Sequence, residues 1–300
     1  MDLSIGVTCF NASDSIVRAL QSVVDLPDVE YEVIIVDDQS TDDSVQVVND
    51  YITSLNSDIK INKFKLIQLQ KNVGVAGARN VIISEAKGTY LAFLDDDDEW
   101  LPDRYQLQKD KILANKDNKR PLICYGARKR MYLRGGSELI PPVANSGVVS
   151  SPVIERYFLE GYRSGMKEVG TAGTSSLFAE LNVIRQLNGL DDRFRRCGDL
   201  DLVIRHCLNG GACVGVPQAV IVQHETSSAD KGFEKELLYR SLLIEKHSSV
   251  LTESVFIAKL MAKKSVAFKS GQKLKYYFYY IELLIFSKVF RKIKLKRLCP

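Results

Sequence analysis

In the first third of the chain, short apolar runs alternate with segments in which apolar residues recur at helical spacing. Four short runs rich in β-branched and aromatic residues predict strands. The runs span residues 3–9, 31–36, 64–69 and 90–94. After each run, apolar residues recur three or four positions apart, which is the spacing of one helix face. This repeated strand–helix order predicts an α/β fold, with a doubly wound, mostly parallel sheet and flanking helices.

The later part of the chain has a weaker periodicity. Glycines and prolines over residues 135–147 predict a loop, and helical spacing returns over residues 231–247. Further strands are predicted at residues 122–126, 128–133, 170–178 and 212–222. The patterns therefore predict a domain of residues 1–228, with halves 1–115 and 116–228, and a helical C-terminal appendage of residues 229–300.

Polar side chains stand at the ends of three strands of the predicted sheet. They are Thr8 and Asn11, Asp37 and Asp38, and the run Asp95–Asp98. The carboxyl ends of parallel strands meet at one edge, and open α/β sheets bind their ligands there. The sequence therefore predicts that these groups converge on one nucleotide pocket.

Four adjacent aspartates, Asp95–Asp98, follow directly on the apolar run Tyr90–Leu94. Neighbouring carboxylates repel one another unless a cation neutralises them. Hard divalent cations prefer oxygen ligands, and Mg²⁺ usually shares its shell with substrate phosphates. The stretch predicts a metal site facing a phosphate, and a solvated acidic loop is the alternative interpretation.

The formal charge of +4 is unevenly distributed over the 300 residues. Residues 259–297 hold twelve Lys or Arg and one acid, so they carry +11 and the rest of the chain −7. The aromatic run at residues 276–286 is too short and interrupted for a membrane span. Its basic flanks suit a helix on an anionic membrane surface, and packing on the catalytic domain is the alternative.

The six cysteines are scattered and form no CxxC pair. This pattern predicts reduced thiols of a cytoplasmic protein rather than a disulfide framework or a zinc site. The N-terminus has no charged segment followed by an apolar one, so no secretory signal is expected. With the basic tail, these features predict a cytoplasmic protein, peripheral on the inner face of the cell membrane.

Four segments carry these features in a fixed order. They read VTCFN at 7–11, IVDDQSTD at 35–42, NVGVAGARN at 72–80 and FLDDDDEWLP at 93–102. Together they resemble the motifs of the family 2 glycosyltransferases of the GT-A fold. The resemblance implies metal-dependent, inverting transfer of a sugar from a nucleotide-diphosphate sugar, most simply a UDP-sugar. The Gln-x-x-Arg-Trp motif of processive synthases is not found in the sequence, which favours transfer of a single sugar.

The strand-end positions and the resemblance together assign the candidate site residues. Nucleotide-binding roles fall on Thr8, Asn11, Asp38, Arg79, Asp95 and Asp96. Metal-binding roles, for Mn²⁺ or Mg²⁺, fall on Asp97, Asp95 and His224. The resemblance implies that Asp38 meets the uracil edge and that the aspartates form the DxD-type motif. The alternatives are a surface arginine for Arg79 and a structural histidine for His224.

A later segment, residues 187–205, is similar to the family's Gly-Phe-Asp-Glu…Glu-Asp-x-Asp-Leu pattern. In the family, the second acid of the Glu-Asp pair is the general base, and that role falls here on Asp199. A base is needed because the acceptor hydroxyl must lose its proton as it attacks the anomeric carbon. The preceding glutamate is replaced by Gly198, which removes a helper carboxylate. A helix cap is the alternative role for Asp199.

The expected acceptor is a glycan or a lipid-linked saccharide at the membrane surface. One alternative function is a catalytically impaired nucleotide-sugar or glycan-binding protein, which Gly198 favours. Nucleotidyl transfer would need a glycine-rich loop after the first strand, where the chain has Thr8-Cys9-Phe10-Asn11. Nucleic acid is not expected as a partner, because the tail holds no recognised module and the body is acidic.

Overall fold

A computed structural model of the chain describes residues 1–24, 26–27, 29–55, 63–116, 119–161, 169–226, 232–252 and 254–283. The chain divides into two compact units. The first combines Met1–Ser151 with Lys167–Thr226, and the second combines Pro152–Met166 with Ser227–Pro300. The second unit thus includes residues 152–166, which the sequence pattern had grouped with the first domain. Part of the predicted aromatic run (284–286) and the basic residues beyond it lie outside the described residues.

The first unit is built on one mixed sheet with helices packed against it. Its strands are β1 (Leu3–Cys9), β2 (Tyr31–Asp37), β3 (Phe64–Gln68), β4 (Tyr90–Asp95), β5 (Glu99–Trp100), β6 (Leu122–Met131), β7 (Ser137–Ile140), β8 (Val148–Ser150), β9 (Leu177–Glu180) and β10 (Ala212–His224). Its helices are α1 (Ile16–Gln21), α2 (Ser44–Ser54), α3 (Gly74–Glu85), α4 (Arg104–Leu113), α6 (Leu181–Gln186) and α7 (Gly198–Leu208).

In the described residues the strand order is β3-β2-β1-β4-β9-β6-β10-β5, with β7 beside β6 and β8 beside β10. Strands β3, β2, β1 and β4 are parallel, as the repeated strand–helix order predicted. Strand β9 is antiparallel to both β4 and β6, while β10 runs parallel to β6. The predicted α/β class and the mostly parallel first half are therefore confirmed, and the second half supplies most of the antiparallel pairing.

Several boundaries in the second half differ from the sequence prediction. Residues 122–131 form one strand rather than two, and residues 137–140 form a strand inside the predicted loop. Residues 174–176 form a 3-10 turn before the short strand β9, where one strand over 170–178 was expected. Gly126, the last residue of the first predicted strand, is a packing site inside β6, because a Cβ there would lie 2.1 Å from Val220 Cγ2. Local composition could not reveal that long-range contact.

Strand β1 lies at the centre of the core. Leu3, Ile5 and Val7 are fully buried, and burial of each such side chain stabilises the fold by roughly 1.5–3 kcal/mol. At Gly6, a Cβ would lie 2.3 Å from Ile82 Cγ2 of α3. The absent side chain therefore lets α3 pack closely against the strand, which fixes the position of the helix's N-terminus at the sheet edge.

The second unit contains α5 (Val153–Phe158), α8 (Phe233–Lys246) and α9 (Val255–Lys269), and residues 273–283 are also helical. The buried Glu160 carboxylate accepts a hydrogen bond from Thr252 Oγ1 at 2.8 Å, and Ser254 caps α9 by accepting from Ile257 N. Within the described ranges, no helix combines the length and apolar character needed to cross a bilayer.

Candidate functional site

The register of the parallel strands brings the predicted polar groups to one level. Thr8 of β1 is opposite Val36 of β2 on one side and Asp95 of β4 on the other. Cys9 is opposite Asp37, so Asp38 and the aspartate run begin where the strands leave the sheet. Because these strands run in the same direction, three polar segments distant in sequence meet at one edge.

Asn11 holds two of these segments together. Its Oδ1 accepts a hydrogen bond from Thr41 N at 2.7 Å, and its backbone N donates to Ser40 Oγ at 2.9 Å. Asn11 has φ of 50°, in the left-handed region that asparagine tolerates better than most residues. The structure thus places Asn11 as a link between the loops that follow β1 and β2.

Asp38 caps the N-terminus of α3. One carboxylate oxygen accepts from Val73 N at 2.7 Å and the other accepts from Gly74 N at 2.8 Å. Burial raises the pKa of Asp38, while these two backbone donors and the charge of Arg195 act in the opposite direction. Negative charge at a helix N-terminus is stabilising, so Asp38 fixes the beginning of the helix that carries Arg79.

Arg79 and Asp95 form an ion pair at the inner end of the edge. Arg79 Nη2 lies 2.5 Å from Asp95 Oδ1, and the guanidinium also lies 5.6 Å from the centre of the Phe93 ring. Arg79 is buried, so it is not the surface arginine of the alternative interpretation. The pair connects the helix motif to the first aspartate of the run.

The other aspartates of the run have different surroundings. Asp96 accepts from Phe10 N at 2.9 Å, and Asp98 Oδ1 accepts from His224 N at 3.2 Å. Burial, together with the neighbouring aspartates, raises the pKa of Asp96 to about 7 and that of Asp98 to about 8. In the described part of the chain, Asp98 Oδ2 is buried and has no hydrogen-bond partner. Burial and carboxylate repulsion therefore both favour the protonated forms of Asp96 and Asp98 at this strand end.

Asp97 and His224 lie on the outer side of the run. Asp97 Oδ2 accepts from Thr226 Oγ1 at 3.0 Å, and His224 Nε2 lies 2.6 Å from Glu99 Oε1. The structure therefore places His224 beside Glu99 through its ring and beside Asp98 through its backbone. It also places Asp97 and His224 on neighbouring segments of the same strand end.

The residues present can be tested against a divalent cation. Among the described residues, no group of three His, Cys, Asp or Glu side chains is placed to hold a metal ion. Asp95 and Asp97 nevertheless offer hard oxygen donors on either side of Asp96 in the run. Mg²⁺ is usually bound by one or two carboxylates together with substrate phosphates and water. The donor set thus fits an ion that completes its shell with a bound diphosphate.

Asp199 lies in the first turn of α7. The residue before the helix, Cys197, has φ of 63°, a left-handed backbone that costs roughly 1–3 kcal/mol for such a residue. Asp199 Oδ1 accepts from Leu200 N at 2.8 Å, and the carboxylate lines the cavity. Strain next to a polar cavity residue is typical of functional sites.

Asp201, two residues later, points away from the cavity. It is fully buried and pairs with Arg205 Nε at 2.7 Å. Arg205 then donates to the carbonyl oxygens of Leu187 and Gly189. This network fastens α7 to the turn that precedes it, which is a structural role.

One cavity of about 290 Å³ within the first unit brings together three of the predicted site residues, Arg79, Asp95 and Asp199. The other six are not among its lining residues: Thr8, Asn11, Asp38, Asp96, Asp97 and His224. Its motif wall, from α3 and β4, contains Arg79 and Asp95, and its assembled wall, from α7, β6, the 3-10 turn and the end of β10, contains Asp199. Sequence reasoning missed several further lining residues, which come from β6, the 3-10 turn, the segment before α7 and the end of β10. They include Arg128, Thr174, Arg195, Arg196 and Gln223. A charged residue inside the otherwise buried run of β6 was the available signal for Arg128.

Comparison with known proteins agrees with this geometry. Residues 4–119 match the family model described as glycosyl transferase family 2. The amylovoran biosynthesis glycosyltransferase AmsB of Erwinia amylovora is 30% identical over 228 residues, which are 75% of this chain and 70% of AmsB. The chain belongs to glycosyltransferase family 2.

A second relative has a name that states both its donor and its acceptor. UDP-Glc:alpha-D-GlcNAc-diphosphoundecaprenol beta-1,3-glucosyltransferase WfaP of Escherichia coli is 31% identical over 175 residues, or 51% of this chain. The match spans 66% of WfaP, slightly less than two thirds of its length. A solved structure of S. aureus TarS 1-349 with UDP-GlcNAc has a TM-score of 0.59 at 19% identity, covering 90% of this chain and 73% of that TarS chain. That likeness confirms the GT-A-type fold.

Proposed function

We propose that this family 2 member transfers one sugar from a UDP-sugar to a hydroxyl of a glycan or lipid-linked saccharide, with inversion at the anomeric carbon. The observation that carries the proposal is the shared cavity, because Asp95 and Asp199 line it from different walls. One wall therefore belongs to the aspartate run, which suits a diphosphate with its cation. The other wall contains Asp199, whose carboxylate would be available to the acceptor hydroxyl.

The donor half of the site follows from the strand-end geometry. Thr8 and Asn11 would bind the nucleotide together with Asp38, whose carboxylate meets the nucleobase while it caps α3. Arg79, Asp95 and Asp96 would bind the ribose and phosphates. Mn²⁺ or Mg²⁺ would be held by Asp97 and Asp95, with His224 nearby, and would supply Lewis-acid stabilisation of the leaving diphosphate.

Asp199 would act as the general base. It takes the proton of the acceptor hydroxyl as the oxygen attacks the anomeric carbon from the side opposite the diphosphate. The bond to the diphosphate breaks as the new glycosidic bond forms, so a single displacement inverts the configuration. A positioned base typically contributes about 10²–10⁴-fold to such a step.

The acceptor and the location are supported by a relative and by the second unit. WfaP is named for a GlcNAc-diphosphoundecaprenol acceptor, which is a lipid-linked saccharide. In the helical residues 273–283, four side chains at helical spacing share one exposed apolar stripe. They are Leu274 (88% exposed), Tyr277 (60%), Phe278 (59%) and Ile281 (56%). With Lys273 and Lys275 beside it, this stripe suits contact with an anionic membrane at its cytoplasmic face.

A donor screen tests the reaction. Purified protein is mixed with UDP-, GDP- and dTDP-sugars, with Mn²⁺, Mg²⁺ or EDTA, and release of nucleoside diphosphate is measured with and without lipid-linked acceptors. We expect turnover of a UDP-sugar that EDTA abolishes, and metal-dependent UDP binding that Asp97→Ala weakens at least tenfold. The exposed Asp43→Ala is the matched control, since its carboxylate makes no cap bond on α2. If no nucleotide binds with any metal, the proposal is wrong.

Vesicle sedimentation tests the membrane contact. We expect the protein to sediment with phosphatidylglycerol vesicles and much less with phosphatidylcholine vesicles. Phe278→Glu should abolish sedimentation, while Leu133→Glu, at a more exposed apolar side chain of the first unit, should leave it unchanged. Equal sedimentation of all three proteins would contradict a membrane role for the stripe.

A further inference from the structure

Arg128 is a cavity residue that the proposed reaction has not used. It lies on β6, is only 8% exposed, and lines the same cavity as Asp95 and Asp199. Long charged side chains are rarely so buried unless they are paired. Burial lowers the pKa of Arg128, as does the charge of Arg130, and the carboxylates of Asp199, Asp98 and Asp95 act in the opposite direction.

The direct partners of Arg128 are neutral. Its Nη1 donates to Gln223 Oε1 at 3.2 Å, and its Nη2 donates to Thr171 Oγ1 at 2.7 Å. Arg130 donates to the same Gln223 oxygen through Nε at 3.4 Å and Nη2 at 3.1 Å. Two guanidinium groups therefore share one neutral acceptor. In the described part of the chain, no carboxylate is within ion-pair distance of Arg128.

The backbone is shaped around this guanidinium. A Cβ at position 173 would lie 2.7 Å from Arg128 Nη1, so Gly173 leaves the space that the side chain occupies. Arg128 is thus held in the cavity wall by a sheet strand, a glycine and two hydrogen bonds. A preorganised guanidinium with a fixed fork of donors is well suited to a phosphate or a carboxylate.

Arg104 shows the contrasting arrangement of a structural arginine in this protein. It is fully buried, lies 4.0 Å from the centre of the Trp100 ring, and donates to Gln108 Oε1 and to the Leu177 carbonyl. Arg104 is not among the residues that line the cavity. Cation–π contact with Trp100 stabilises that charge inside the protein, whereas Arg128 faces the space where the substrates would meet.

We propose that Arg128 is a substrate-binding residue that pairs with an anionic group of a bound substrate. The inference rests on the proposed function and deepens it. The shared chemistry is a phosphate or carboxylate oxygen, supplied either by the diphosphate of the donor or by an anionic group on the acceptor. Arg128 would offer a charge-assisted hydrogen bond to that oxygen close to Asp199.

Calorimetry on Arg128→Gln tests both sources. UDP and uridine are titrated with Mn²⁺, and methyl phosphate is titrated into the UDP-saturated protein. If Arg128 pairs with the diphosphate, UDP affinity falls at least tenfold and uridine affinity is unchanged. If it pairs with an acceptor anion, UDP affinity is unchanged and methyl phosphate binding is lost. Two results would overturn the inference. In the first, Arg128→Gln binds all three ligands as the wild type does. In the second, the wild type does not bind methyl phosphate, and the UDP affinity of Arg128→Gln is unchanged.

Three matched variants separate binding from structure. Arg130→Gln removes the other guanidinium on Gln223 and should leave the affinities within about twofold, because Arg130 does not line the cavity. Arg128→Lys should restore part of the lost affinity, because the charge is kept without the fork. Gly173→Ala should reproduce the loss by displacing the guanidinium. Failure of wild-type protein to bind UDP would instead count against the proposed function, and a lower melting temperature of Arg128→Gln with unchanged affinities would indicate a structural role.

Discussion

The two walls of the cavity are built in different ways. The motif wall, with Arg79 and Asp95, comes from α3 and the end of β4. It is supported by hydrogen bonds between the neighbouring strand-end loops, as at Asn11, Asp38 and Asp96, which do not line the cavity themselves. The wall of Asp199 is assembled from α7, β6, the 3-10 turn and the end of β10. The first is a compact motif, and the second exists only because distant segments pack together. We therefore expect substitutions in the two walls to have separable effects on binding and on transfer.

The largest effect is expected from Asp199→Asn in the assembled wall. Removal of the general base should lower kcat by about 10²–10⁴-fold, while UDP affinity stays within about twofold. Single-turnover transfer and UDP calorimetry measure the two quantities. Undiminished turnover would show that Asp199 is not the general base. A loss of UDP affinity as large as the loss of kcat would contradict the expected separation of binding and transfer between the two walls.

Asp201→Ala makes the matched change two residues further along α7. The substitution removes a fully buried carboxylate and leaves the partly buried Arg205 guanidinium with the carbonyl oxygens of Leu187 and Gly189. The cost should therefore be below the about 3–5 kcal/mol that is typical when a fully buried ion pair loses one partner. We expect a lower unfolding midpoint in urea, and near-normal turnover of the folded fraction well below that midpoint. An unfolding midpoint in urea equal to that of Asp199→Asn would contradict the structural role of Asp201.

Asp38→Ala removes the cap of α3, the helix that contributes Arg79 to the motif wall. The backbone N–H groups of Val73 and Gly74 would lose their acceptor, at a cost of about 1–3 kcal/mol, and UDP affinity should fall together with stability. Thermal melting and calorimetry report the two effects, and the exposed Asp43→Ala serves as control. If Asp38→Ala lowers stability while UDP affinity is unchanged, Asp38 is a cap without a role in the nucleotide site.

The smallest effect is expected from Gly198→Glu, which restores the family's acidic pair. A Cβ at this position would meet Phe194 Cβ at 3.8 Å and Leu190 Cδ2 at 3.9 Å, which are ordinary contacts, so the helix should accommodate the change. We expect turnover to change by no more than a few-fold, since Asp199 is already present. A wild-type protein that turns over no donor, but gains transfer in Gly198→Glu, would support the alternative of a catalytically impaired binding protein.

Much of the motif wall could be predicted from the sequence. Short apolar runs ending in Thr8, Asp38 and Asp95 predicted parallel strands whose ends converge, and the register confirms that Thr8 and Asp95 are paired. Period-two and helical patterns reveal such local elements directly, because each buried face is encoded within a few residues. The hydrogen bonds of Asp38 to Val73 and Gly74 were not predictable, since they depend on how α3 docks on the sheet.

Most of the residues that form the assembled wall could be identified only from the tertiary structure. The family resemblance implied Asp199 as the base, but the hydrophobic pattern does not distinguish Asp199, which lines the cavity, from the buried Asp201, because both precede leucines in the same helix. Arg128 reads locally as a charged strand residue, and becomes a cavity residue only because β10 and Gly173 pack around it. Sequence therefore determined the fold class, the strand-end motifs and the family, through patterns that repeat over short distances. The structure decided which charges face the cavity, because that depends on contacts between distant segments, such as that of Arg128 with Gln223, 95 residues apart.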